Sequence, residues 1–194
     1  MKRIIVLIVS LCLLVALTGC SKKETIGGAD SKALVAYFSC TANTQRIAEY
    51  VAGALGAELY EIVPQVAYNS EDIDANADSN RARQEQNGEV PWPAIAGSVE
   101  SMEDYDIIFL GYPIWWGEAP KILCTFLNSY DFSGKTVIPF CTSHSSGIGA
   151  SATNLHEEAA DSARWQEGMR FASGAAQRTV TDWINDLPLK IGKK

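Results

Sequence analysis

Histidine is scarce in this chain, and its cysteines do not have the spacing that binds metals. The 194 residues include two histidines, His144 and His156, and no two of the five cysteines form a Cys-x-x-Cys pair. Protein zinc sites are built from clustered Cys and His side chains. The sequence therefore indicates no metal site.

Three motifs of nucleotide and hydrolase sites are also missing. No Gly-Lys-Ser/Thr follows the first predicted strand, which excludes a P-loop NTPase, and the absence of Gly-x-Gly-x-x-Gly argues against a dinucleotide site. The Gly-x-Ser-x-Gly elbow of hydrolases is absent too. A nucleophilic Cys40, or Cys141 with His144, stays open on residue types alone, although no acidic residue can be assigned to orient the histidine.

Positive charge is in short supply. The chain carries 16 basic and 23 acidic residues, a net charge of −7, while 47% of its residues are hydrophobic. Without the four basic and two acidic residues of the first 30 positions, residues 31–194 have a net charge of −9. A body this acidic would repel a phosphate backbone, which argues against nucleic-acid binding. The apolar content is that of a globular domain.

No apolar run reaches the roughly 20 residues that a membrane-spanning helix needs. The run at 4–17 follows a basic Met1-Lys2-Arg3 and has the length of a signal-peptide core. The tetrapeptide Leu17-Thr18-Gly19-Cys20 that ends it resembles a bacterial lipobox. This resemblance implies a lipoprotein signal peptide at 1–19 and a diacylated Cys20, so that the protein would be anchored to a bacterial cell membrane and face outside the cytoplasm. An ordinary cleaved signal or an uncleaved anchor are the alternatives.

The remaining chain alternates between apolar strands and helical patterns. Residues 20–31, with adjacent glycines, predict a flexible tether, and residues 32–190 predict one domain. A long polar connection at 70–86 is expected to be partly helical and 88–97 to be a loop. Strands are predicted at 33–38, 57–63, 106–111, 135–141 and 165–171, with helices after the first strand and near 121–128, 148–163 and 176–187.

This alternation predicts an α/β fold, a three-layer αβα arrangement around an open, doubly wound, five-stranded parallel sheet. Pro139 within the fourth strand predicts a bulge or a strand end. In such sheets ligands bind outside the carboxyl ends of the strands. Chemistry is therefore expected in the loops at 39–44, 111–117 and 141–149.

The first of these loops, Ser39-Cys40-Thr41-Ala42-Asn43-Thr44, is rich in hydroxyls and has no charged residue. It joins a buried strand to a helix, whose free N–H groups and positive dipole end favour an anion. The density of hydroxyl and amide groups favours a phosphate site over the simpler possibility that Asn43 or Thr44 only caps the helix.

The second loop places Trp115 and Trp116 side by side directly after a buried strand. Such a pair favours a flat apolar ligand, with packing on the protein itself or on another subunit as the alternative. The third loop, Cys141-Thr142-Ser143-His144-Ser145-Ser146-Gly147-Ile148-Gly149, is equally compatible with ligand binding and with turn chemistry.

Together, Tyr37 to Thr44, the Gly-Tyr-Pro-Ile-Trp-Trp loop from Gly111, Pro120 and Thr142-Ser143 resemble the flavodoxin family over residues 33–187. The resemblance implies a sheet of order 2-1-3-4-5 and non-covalently bound FMN. The implied phosphate-binding residues are Ser39, Thr41, Ala42, Asn43 and Thr44. The residues implied to surround the ring are Pro113, Ile114, Trp115, Trp116, Gly117, Thr142, Ser143, His144 and Gly147, of which His144 is also a catalytic candidate.

An uncharged phosphate loop and apolar stacking both disfavour negative charge on reduced flavin, which predicts a low redox potential. The predicted function is electron transfer or oxidoreduction with FMN at the outer face of a membrane, with a redox protein or a small electron acceptor as partner. Two alternatives stay open: a reductase that takes hydride from NAD(P)H for a quinone or small acceptor, and a non-catalytic module that has lost flavin.

Overall fold

The computed structural model describes residues 24–159 and 162–191. The predicted signal peptide, Cys20 and the first tether residues lie outside these ranges. In the part of the chain that is described, no helix combines the length and the hydrophobicity needed to cross a bilayer.

Eight strands and four α-helices make up the described domain. The strands are β1 (Ala33–Tyr37), β2 (Glu58–Glu61), β3 (Val63–Pro64), β4 (Ile95–Ala96), β5 (Ile107–Pro113), β6 (Thr136–Thr142), β7 (Arg164–Trp165) and β8 (Met169–Phe171). The helices are α1 (Asn43–Leu55), α2 (Arg81–Gln86), α3 (Ile122–Asn128) and α4 (Gln177–Asp186).

The main sheet is parallel and runs β2-β1-β5-β6, with β7 and β8 both paired to the outer side of β6. Counting β7 and β8 as one interrupted strand gives the order 2-1-3-4-5, which confirms the predicted fold. β1, β5 and β6 are buried almost throughout because helices cover both sheet faces. One apolar core includes residues of α3, and the other includes residues of α1 and α4.

The fifth strand is interrupted, which corrects the continuous strand predicted at 165–171. β7 pairs with residues 136–137 of β6, β8 pairs with residues 140–142, and Pro139 lies opposite the break. Proline has no backbone N–H to donate to a neighbouring strand. Because the neighbouring strand is interrupted opposite Pro139, none of its carbonyl groups depends on that missing donor. Pro139 keeps regular register with Leu110 on the β5 side, and β6 continues through it, so the predicted bulge or strand end at Pro139 is wrong. The interruption lies in the neighbouring strand instead.

Over its described residues 148–159, the region predicted as a helix at 148–163 does not form an α-helix. It forms two short 3-10 segments, Gly149–Ser151 and Thr153–Glu158. Only Ser151 and Leu155 are buried there, so the segment has no continuous apolar stripe to hold an α-helix on the sheet. The predicted loop at 88–97 also contains a strand, because β4 pairs antiparallel with β3.

The described end of the predicted tether lies against the domain. Ile26 is 6% exposed and forms a parallel bridge with Leu189, with its N–H donating to the Pro188 carbonyl at 2.9 Å. Gly27 has φ +80°, and a Cβ there would lie 2.8 Å from the Lys190 carbonyl oxygen. The chain is thus fixed from Ile26 onward at the amino-terminal edge of the sheet.

Candidate functional site

The three predicted loops meet at the carboxyl edge of the sheet, after β1, β5 and β6. Backbone bonds join them in sequence: the Phe38 N–H donates to the Gly111 carbonyl at 2.9 Å, and the Ile114 N–H donates to the Thr142 carbonyl at 3.0 Å. The structure therefore brings all three candidate segments to one edge.

The first loop presents a helix N-terminus without a side-chain cap. Ala42 is the N-cap residue of α1, has φ +58°, and provides no side-chain hydrogen bond. The predicted alternative, a cap by Asn43 or Thr44, is not what forms; the Asn43 amide donates instead to the Thr41 hydroxyl at 3.0 Å. The N–H groups of the first helical turn, together with the half-buried Ser39 and the exposed Thr41, are arranged to accept an anion.

Thr44 connects this loop to the end of β6. Its side chain is 1% exposed, and its hydroxyl lies 2.7 Å from the hydroxyl of Thr142, which is itself 4% exposed. These two hydroxyls therefore satisfy each other and tie the start of α1 to the end of β6.

The second loop is a tight hairpin turn. The N–H groups of Trp115 and Glu118 each donate to the other residue's carbonyl, at 2.9 and 3.0 Å. Trp116 and Gly117 between them have φ of +49° and +88°, the positive pair that a type I′ turn requires. This conformation costs a non-glycine residue about 1–2 kcal/mol. Strain of this kind at a bulky side chain motivates a functional hypothesis for Trp116.

The two tryptophans have different surroundings. Trp115 is half-buried and packs edge-on against Phe38, with ring centroids 5.5 Å apart, and against Tyr68 at 5.3 Å. The alternative of packing on the protein itself is thus observed for Trp115. Trp116 is 37% exposed and is the indole that a planar ligand can contact.

Helix α2 lies against this second loop, which sequence reasoning missed. The Gln86 side-chain amide donates to the Ala119 carbonyl at 3.1 Å, and the Arg83 guanidinium lies 4.4 Å from the Trp116 ring centroid. The six residues of α2 interrupt a long polar connection, whose sequence shows no periodicity that would indicate a partner. The sequence alone therefore gives no indication that Arg83 lies beside Trp116.

The third loop is held by Arg170 of β8, another residue that the sequence did not single out. Its guanidinium donates to the carbonyls of Ser143 and His144, each at 2.8 Å, and to the Ser143 hydroxyl at 3.1 Å. His144 and Gly147 are exposed on this loop, and Pro113 and Ile114 are half-buried beside it. Arg170 contacts His144 through its backbone carbonyl, and the catalytic role of His144 stays a prediction.

Burial affects two titratable groups beneath the loops. Burial raises the pKa of the Cys141 thiol to about 12, so this thiol stays protonated at neutral pH, which argues against Cys141 as a nucleophile. Burial also raises the pKa of Tyr112, whose hydroxyl lies 3.2 Å from that of Ser151.

A cavity of about 820 Å³ lies at the opposite, amino-terminal edge and is lined by Ile26, Asp106, Trp183 and their neighbours. None of the three loops lines this cavity. We assign the candidate site to the carboxyl edge because the donors and the exposed indole converge there, at the position where open parallel sheets bind ligands.

An open, doubly wound parallel sheet with three loops meeting at its carboxyl edge places this protein in the class of doubly wound α/β proteins. The sequence model of the family described as flavodoxin matches residues 32–187. The chain therefore belongs to the flavodoxin family.

Solved structures support this assignment. A candidate flavoprotein from Bacteroides eggerthii is 40% identical, with a TM-score of 0.76 over 83% of this chain and 100% of the other. One from Bacteroides uniformis is also 40% identical, with the same TM-score over 81% and 99%. A Lactobacillus acidophilus flavoprotein in complex with FMN is 26% identical, with a TM-score of 0.60 over 72% and 93%. No protein of curated function matches the chain.

Proposed function

We propose that this protein binds FMN non-covalently and acts as an electron carrier. The observation that carries the proposal is the uncapped N-terminus of α1, which lies at the same edge as the exposed Trp116 and the loop after β6. The FMN complex of the related Lactobacillus acidophilus protein supports the choice of ligand.

The residues present fit FMN. The first-turn N–H groups of α1, with the hydroxyls of Ser39 and Thr41, would hold the phosphate, and Trp116 would contact the ring. The backbone of Ser143 and His144, fixed by Arg170, would meet the polar edge of the ring. Bound FMN supplies reversible one- and two-electron chemistry, while the protein holds it and sets its electrostatic surroundings.

An FMN titration of the apoprotein tests this proposal. We expect Thr41→Asp to weaken FMN binding about tenfold, because it places a negative charge beside the phosphate dianion. The fold should survive, since an acidic residue before a helix is favourable. Riboflavin, which has no phosphate, should bind wild type and variant alike.

Ser133→Asp is the matched control, because Ser133 is exposed and precedes β6 at the other edge of the sheet. It adds the same charge and should leave FMN affinity unchanged. Equal FMN affinity in wild type and Thr41→Asp would contradict the phosphate assignment. If NADPH alone reduces the bound flavin, the protein is the reductase of the alternative hypothesis and not an electron carrier.

We further propose that the carrier is lipid-anchored through Cys20 and faces outside the cytoplasm of a bacterium, where it would exchange electrons with a redox protein or a small acceptor. The support is the lipobox-like Leu17-Thr18-Gly19-Cys20 after a short apolar run. Cys20→Ala should move the protein from the membrane fraction to the soluble fraction, with Cys40→Ala as the control. A variant that still pellets with membranes would count against the anchor.

A further inference from the structure

Arg83 stands directly over the indole that is expected to contact the flavin. Its guanidinium carbon lies 4.4 Å from the Trp116 ring centroid, within the range of a cation–π interaction. The Arg83 Nε atom is buried and makes no hydrogen bond. Arg83 covers one face of the ring, and Trp116 is still 37% exposed.

The charge of Arg83 is not neutralised by a neighbouring carboxylate. Among the described residues, the ion pairs are Lys32–Asp104, Arg81–Glu85 and Arg178–Asp182, and Arg83 belongs to none of them. Arg81, two positions away on the same helix, shows the contrast. Its Nε lies 2.9 Å from the buried Glu85 carboxylate, so that pair adds no net charge near the site.

The position of Arg83 relative to the loop is fixed from two sides. Gln86 joins the same helix to the Ala119 carbonyl at 3.1 Å, just beyond the hairpin turn. The turn itself holds Trp116 in its left-handed conformation. A cation kept in place by both its helix and its aromatic partner produces a constant local field.

We infer that Arg83 is a positioning residue that orients Trp116 and raises the redox potential of the bound flavin. This inference rests on the proposed FMN function. Reduction of the ring by two electrons and one proton adds one negative charge, which a nearby fixed cation favours. Arg83 thereby opposes the low potential that the uncharged phosphate loop alone predicts.

The test compares the affinities of each variant for oxidised and for reduced FMN, whose ratio reports the potential. We expect Arg83→Gln to lower the preference for reduced FMN about tenfold, equivalent to about 30 mV for a two-electron couple. Arg83→Lys keeps the charge but loses the planar stack, and should retain this preference within about threefold. Lys32→Gln removes a charge at the far edge, where Lys32 is 56% exposed, and should have no effect.

The outcomes separate this inference from the proposed function. A wild-type protein that binds no FMN overturns both. Wild-type FMN binding with an unchanged affinity ratio in Arg83→Gln overturns the role of Arg83 alone. Equal losses in Arg83→Gln and Arg83→Lys would also overturn it, because the effect would then follow from packing and not from charge.

Discussion

The hydroxyl pair of Thr44 and Thr142 gives the sharpest stability prediction. Both side chains are buried, and their oxygens lie 2.7 Å apart although the residues are 98 positions apart in the chain. Thr44→Val replaces one hydroxyl with a methyl group of similar volume. The Thr142 hydroxyl then loses its partner inside the protein, while the packing around both residues changes little.

The magnitude follows from the cost of an unmet buried hydroxyl. Leaving such a group unpaired costs about 1–3 kcal/mol, whereas removing both partners together can be nearly neutral. Each single variant, Thr44→Val or Thr142→Val, should therefore lose about 2 kcal/mol of unfolding free energy. For a domain of this size, that loss lowers Tm by about 6 °C.

Urea unfolding of the wild type, both single variants and the double variant measures the coupling. We expect the double variant to be clearly more stable than the sum of the single losses implies, by about 2–3 kcal/mol. Unchanged m-values would show that the change lies in the folded state. Losses that add without coupling would refute the argument that these hydroxyls satisfy each other.

Two further predictions concern packing and pH. Gly168→Ala should destabilise the protein by about 1–3 kcal/mol, because the new Cβ would lie 2.8 Å from the Pro139 carbonyl oxygen, a backbone atom that cannot move easily. Gly174→Ala, whose new Cβ meets nothing within 4 Å, serves as the control in urea unfolding. Burial and the hydrogen bond to Glu58 raise the pKa of Tyr105 from its ordinary value of 10 to about 12. Because Tyr105 ionises less readily in the folded state than in the unfolded state, the free energy of unfolding should fall as the pH rises from about 10 to 12. Tyr105→Phe should reduce this decline. Urea unfolding of wild type and variant at both pH values measures the difference.

The parallel sheet and the edge at which the three candidate loops meet could be predicted from local patterns, whereas the strand order was implied by the resemblance to the flavodoxin family. The apolar run of β1 and the polar residues after it mark a buried strand ending at a ligand edge. What could not be predicted depends on contacts between distant segments. Predicting the break opposite Pro139 would require knowing which strand lies beside β6. The different exposure of Trp115 and Trp116 depends on the backbone dihedral angles of the turn.

The arginines of the site show the same limit. Arg83 and Arg170 lie in polar segments, a short helix and an outer strand, where sequence gives no indication of the partner. Arg83 reaches Trp116 from 33 positions away, and Arg170 holds the backbone of a loop 27 positions earlier. The loops could therefore be located from the sequence, but the two arginines that add positive charge around them could not.

The bridge between Ile26 and Leu189 has a consequence for the orientation of an anchored protein. If Cys20 carries the proposed lipid, six residue steps separate it from Ile26 and span at most about 20 Å. Ile26 lies at the edge of the sheet opposite the three loops, so the edge of the domain that faces the bilayer would be the one farthest from the proposed flavin site. The FMN ring would then face the aqueous phase, and electron transfer would require a partner that approaches from solution.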